Sequence, residues 1–197
     1  SKPRRYVMVL AVPARRVGLD AFKIESAFAQ HLRTFKQRLR DMAQRLVLVG
    51  PEFGPAADAD TTLATIRHDE GIEFAPAFPA FIGRFQYLRH LPATMKVLRR
   101  EVAQADIVHA GPSHPYLMFE FPAIVMGKRL GKRTIFINDM DNRRSPAMLH
   151  RTGAWSLRQY LAATWLWEPC IHLQHVYAAR HCSLVLLKGE RMAADYG

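Results

Sequence analysis

The chain has 197 residues, 49% of them hydrophobic, and 28 Lys and Arg against 17 Asp and Glu give a formal charge of +11. This composition excludes a disordered or low-complexity chain, and no stretch reaches the roughly 20 apolar residues of a membrane span. The basic excess points to nucleic acid, an anionic membrane surface or a phosphorylated substrate, without choosing among them. The length fits a single domain over residues 1–197 that can build its own core. Cys170 and Cys182 read as buried free thiols in a reducing compartment. The apolar run after the basic Ser1–Arg5 is only strand length and ends at Pro13, so it does not read as a signal peptide.

Tyr6–Val12 is a continuous apolar, β-branched run, as in a strand buried on both faces. A basic, glycine-containing loop, Ala14–Asp20, follows it, with Asp20 placed to cap a helix. Ile24, Phe28, Leu32, Phe35, Leu39, Met42 and Leu46 then form one stripe of a long amphipathic helix. Leu46–Val49 reads as a second strand, Phe53–Thr62 as loop and Ile72–Ala75 as a short third strand. Pro76–Gly83 is an aromatic, proline-rich connection. The helix carrying Phe85, Leu88, Met95, Leu98 and Val102 is expected to break or restart at Pro92. Asp106–His109 is a short strand, Pro115–Leu130 a buried helix closed by Gly131, and Arg133–Ile137 another strand. Trp155–His181 is helical with a kink at Pro169, Ser183–Leu187 is the last strand, and Glu190–Tyr196 opens a further helix.

Strands alternating with helices predict an α/β fold, a parallel sheet with helices on both faces. Ligands of such sheets sit at the carboxyl ends of the strands, which singles out three loops. In the first, Gly18 permits close backbone approach and Arg16 offers a bidentate phosphate contact; the alternative is a solvated basic turn. In the second, Ser113 and His114 can contact a hydroxyl; the alternative is a turn in which Ser113 caps the next helix. His109, inside its strand, reads as a packed, hydrogen-bonded histidine. In the third, Asn138 and Asp139 suit sugar hydroxyls, with too few further carboxylates nearby for a metal; the alternative is pairing with Arg143 and Arg144. Cys170, His172, His175, His181 and Cys182 do not match zinc spacings and read as helix-surface histidines and buried thiols. There is no G-x-G-x-x-G, no Walker phosphate loop and no G-x-S-x-G elbow.

Two basic helix faces remain. Arg33, Lys36, Arg38, Arg40 and Arg45 line one. Arg84, Arg89, Lys96, Arg99 and Arg100 line another beside Phe81, Phe85 and Tyr87. Their default reading is a solvated face, and their alternative an anionic lipid surface. No nucleic-acid-reading motif accompanies them.

In order and spacing, the strand and glycine loop into a long helix (Val12 to Leu39), the Asp106-Ile-Val-His109 strand, the Pro115–Gly131 helix before Thr134–Ile137, and the closing Ser183–Gly197 stretch resemble the N-terminal half of a GT-B glycosyltransferase of the large retaining class called family four. The resemblance covers Tyr6 to Gly197. It implies a Rossmann-like acceptor-binding domain of an enzyme that moves a sugar from a nucleotide-sugar donor to an acceptor hydroxyl. The donor would be held chiefly by a C-terminal domain not contained in residues 1–197, so the chain alone is expected to be inactive. Acceptor contacts carry over to Arg16, Gly18, Ser113, His114, Asn138 and Asp139. No cofactor, metal or catalytic base is implied, and nucleic acid is not expected. Many members pair two glycines in the first loop, whereas Gly18 stands alone between Val17 and Leu19. Many carry His-Asp where this chain has Asn138-Asp139, so Asn138 would replace the histidine by hydrogen bonding. The basic surface fits a sugar or lipid-linked acceptor, and a cytoplasmic protein peripheral to the inner membrane face. The competing readings are a stand-alone α/β module for an anionic ligand and, behind it, a nucleic-acid-binding domain.

Overall fold

A strand that is apolar on both faces needs cover on both, and β1 (Arg5–Val9) has it. Tyr6 and Met8 pack into one layer with Phe22, Ile24, Leu32, Leu46 and Leu48. Val7 and Val9 pack into the other with Val47, Val49, Leu98, Val108 and Ile124. The computed structural model describes residues 4–39, 42–139 and 145–187. Five further strands lie parallel to β1: β4 (Arg45–Glu52), β6 (Ile72–Pro79), β7 (Ile107–Ala110), β8 (Arg133–Asn138) and β9 (Leu184–Leu187). Their order is β6-β4-β1-β7-β8-β9, a Rossmann-like α/β sheet. From β1 the sheet grows outward through β4 and β6, then resumes on the opposite edge with β7. That reversal opens a crevice between the carboxyl ends of β1 and β7.

Helix α1 (Ser26–Arg38) covers one face through Ala29 and Leu32. Helices α2 (Arg84–Gln104), α3 (Glu120–Arg129) and α6 (Glu168–His181) cover the other. Helices α4 (Ser145–Arg151) and α5 (Leu157–Ala162) and a π-helical turn (Ala163–Trp167) lead into α6. Among the described residues, no helix is long and apolar enough to cross a membrane.

The main departure from expectation follows β1. Ala14–Asp20 is not a loop into a helix but part of an antiparallel ribbon of β2 (Ala14–Val17), β3 (Ala21–Glu25) and β5 (Leu63–Arg67). Gly18 sits in its hairpin turn at φ 62°, a conformation glycine adopts without strain. In β3, Phe22 and Ile24 are buried while Ala21, Lys23 and Glu25 are not, a period of two. Ile24 also fits the helical stripe with Phe28, which hides the strand. Helix α1 is capped by Glu25 rather than Asp20: its carboxylate accepts the Ala27 and Phe28 N–H groups at 3.0 and 2.8 Å. Leu46 and Arg45 belong to β4, not to that helix.

Other boundaries move for local reasons. Strand β6 runs on through Pro79, beyond the expected Ala75. Helix α2 runs through Pro92 unbroken, because the carbonyl left without a partner is that of the exposed Leu88. Helix α3 begins only at Glu120, since Pro115–Phe119 stays in a loop pinned by a His114–Leu117 bridge. Pro169 lies in the first turn of α6, where proline is tolerated. Tyr87 is core, not surface. His175 is 1% exposed, against the helix-surface reading, and both cysteines are only partly buried. Arg40, Arg143, Arg144 and the Glu190–Tyr196 helix lie outside the described residues.

The passage from β1 to β2 crosses tightly over β4. A Cβ added at Gly50 would stand 2.7 Å from the Val12 carbonyl oxygen and 3.0 Å from that of Leu10. Gly50→Ala is therefore expected to lower unfolding stability in urea by about 1–3 kcal/mol. Gly54→Ala, with open space around it, changes little in the same measurement.

Candidate active-site crevice at the sheet reversal

Two cavities occupy the crevice, of about 470 and 250 Å³. They share Pro112, Glu120 and Asn138. The larger extends under His31, His109 and Asp139, the smaller toward His114 and Leu117. No Lys or Arg among the described residues borders either one.

Glu120 stands at the centre. The Ala11 N–H, just past the end of β1, donates to its Oε1 at 2.8 Å. Burial raises the carboxyl to about 7; the Ala11 bond opposes this, and the neighbouring Asp139 carboxylate reinforces it. In the sequence Glu120 falls within an apolar helical stretch and does not stand out as a site residue. Its signal was there: a single acid inside Pro115–Leu130.

His109 is packed and hydrogen-bonded, as expected. It is 6% exposed, and its Nδ1 lies 3.0 Å from the Tyr6 hydroxyl. Burial, aided by His31, lowers the imidazole to about 4. At neutral pH Tyr6 donates to Nδ1, so the ring proton is on Nε2. His31, on α1 between Phe28 and Phe35, carries no sequence signal, because a histidine on a helix surface follows no pattern.

Asn138 ends β8 at 4% exposure. Its Nδ2 lies 2.8 Å from His175 Nε2, and His175 Nδ1 lies 2.8 Å from the Ile171 carbonyl oxygen. In the neutral ring, His175 donates to that carbonyl and accepts from Asn138, which fixes the amide's orientation. Asp139 is exposed at the rim. The structure thus brings together Asn138, Asp139 and His114, and adds Glu120, His31 and His109.

Three other expected positions have different surroundings. The Ser113 hydroxyl accepts the Phe119 and Phe121 N–H groups at 3.2 and 2.7 Å. Its backbone is held on both sides by the Gln174 amide, so it caps the start of α3. Arg16 and Gly18 lie on the ribbon and border neither cavity. Arg16 pairs with Glu52 at 3.1 Å. His114 borders the smaller cavity, its ring 4.3 Å from that of Trp167, and burial lowers its pKa.

A carboxyl, an amide and imidazoles, with no Lys or Arg among the described lining residues, suit hydroxyl groups, which both donate and accept. They do not suit a phosphate, which needs cations or converging N–H groups.

Two measurements test this description. The unfolded Glu120 titrates near 4.5, so its raised folded value removes stability as pH rises from there to about 7. His109 has the opposite sign: its lowered folded value removes stability as pH falls from 6.5 to about 4. Each contributes at most about 3 kcal/mol, and over the shared range they offset one another. Glu120→Gln is expected to unmask the His109 slope, giving urea-unfolding stability that rises with pH more steeply than in the parent. Ser113→Ala, which removes the cap, is expected to cost about 1–2 kcal/mol in the same assay.

Comparison with known proteins adds no family: no protein-family model matches the chain, and no curated protein matches it in sequence.

Proposed function

We propose that the protein is the acceptor-binding part of a glycosyltransferase, which holds a sugar-bearing acceptor while its hydroxyl receives a sugar from a nucleotide-sugar donor. One observation carries this reading. The crevice at the β1–β7 reversal, where this architecture binds ligands, is lined by Glu120, Asn138, Asp139 and three histidines, with no Lys or Arg among the described lining residues. A carboxylate there accepts from an acceptor hydroxyl and orients its oxygen; the Asn138 amide, steadied by His175, fixes a second contact. Among the described residues, no Lys or Arg lines these cavities to meet the donor's phosphates. No catalytic base is assigned. The lack of Lys or Arg among the described lining residues favours this reading over a module for an anionic ligand.

Saturation-transfer NMR of the protein with neutral methyl glycosides, inorganic phosphate and UDP tests the reading. At least one glycoside is expected to receive saturation, and a Glu120→Gln/Asn138→Ala variant to bind it more than about tenfold more weakly. Binding of phosphate and UDP alone, lost in the same variant, would replace this reading with the anionic-ligand module.

A further inference from the structure

The outward face of α2 is assembled from residues three and four apart: Phe85, Leu88, Arg89, Lys96 and Arg99, all exposed. The apolar members gather at the start of the helix, where Phe85 is 70% and Leu88 56% exposed. Just before it, Phe81 is 88% exposed on a backbone of φ 58°, a left-handed conformation costly for a bulky residue. The one acid of α2, Glu101, is turned inward at 4% exposure and paired with Arg5 at 2.6 Å. No ion pair among the described residues involves Arg84, Arg89, Lys96, Arg99 or Arg129.

Beside this face, a groove of about 500 Å³ runs between α2 and α3. Its floor includes Met95, Met126 and Leu130, and its rim carries Lys96, Arg99 and Arg129. Apolar floor and cationic rim match an amphiphile with an anionic head. A nucleic-acid backbone would use the cations but has no need of Leu88, Met95 or Leu130. The face also leads to the crevice. Phe81 borders a small cavity with Ala11 and Leu117, and those two residues border the smaller crevice cavity as well.

We propose that the α2 face and the α2–α3 groove dock this protein on an anionic phospholipid bilayer, with lipid phosphates at Lys96, Arg99 and Arg129 and with Phe81, Phe85 and Leu88 in the acyl boundary. The docking stands independently of what the crevice binds. It lays the mouth of the smaller cavity beside the bilayer, within reach of an acceptor carried by a lipid.

Flotation with vesicles of phosphatidylglycerol and phosphatidylcholine tests it, because no sugar enters the assay. The protein is expected to float with the mixed vesicles, not with phosphatidylcholine alone, and to be released by salt. Lys96→Glu/Arg99→Glu/Arg129→Glu is expected to weaken binding by roughly a hundredfold or more. Phe81→Ser/Phe85→Ser/Leu88→Ser is expected to weaken it at least about tenfold. All six positions are exposed, so circular dichroism should show both variants folded. A second exposed apolar stripe, Leu157, Leu161 and Trp165, serves as control, and its Ser variant is expected to bind normally. Absence of binding to mixed vesicles, indifference of binding to both α2 variants, or loss confined to the control variant overturns the proposal. So does salt-sensitive binding of random duplex DNA, lost in the charge variant, by a protein that ignores the vesicles.

Discussion

The bond between the Ala11 N–H and the Glu120 carboxylate ties the sheet to its crevice. Strand β1 stops at Val9, and Leu10 makes the last backbone bond to β4. The chain must then leave the sheet over Gly50, and the next N–H faces the gap at the reversal with no strand beside it. That N–H has no strand to pair with, and a carboxylate from the first residue of α3 accepts it instead. One contact thus joins the turn after β1 to the helix after β7, the two segments whose separation creates the cavity. It also holds a carboxyl that lines both cavities, and burial moves its titration toward neutrality.

Around that contact, polar side chains are held from behind. Tyr6 fixes His109, the Ile171 carbonyl and His175 fix Asn138, and Gln174 and Ser113 lock the loop that roofs the smaller cavity. Three of these links, Tyr6 to His109, Asn138 to His175 and Ser113 to Gln174, join distant parts of the sequence. The partners are themselves buried, so the groups lining the crevice are set before a ligand arrives, the condition for oriented binding.

The two kinds of charge are kept apart. The carboxyl and amide groups lie at the carboxyl ends of the strands, while Lys96, Arg99 and Arg129, in no ion pair among the described residues, lie along α2 and the end of α3. Many of the remaining arginines are neutralised: Arg15 by Asp58, Arg16 by Glu52, Arg33 by Glu70 and Arg45 by Glu73. The charge of +11 therefore describes particular surfaces rather than the crevice.

The parallel α/β core was legible from local pattern alone. The runs Tyr6–Val9 and Leu46–Val49 are apolar on both faces, and only a sheet covered twice accommodates them. Asn138, Asp139 and His114 were legible because strand ends are where such folds bind. The β2–β3–β5 ribbon was not, because Phe22 and Ile24 satisfy the period of a strand while Ile24 also continues the stripe of α1, and only pairing with residues some forty positions away decides. Nor were the roles of Glu120, Ser113 and Arg16. Whether an acid sits in a crevice, a hydroxyl caps a helix or an arginine meets a glutamate depends on partners that only the fold brings near. Which segments must be buried is written in local hydrophobic periodicity; which polar groups face one another is not, because those pairings join residues that only the fold brings near.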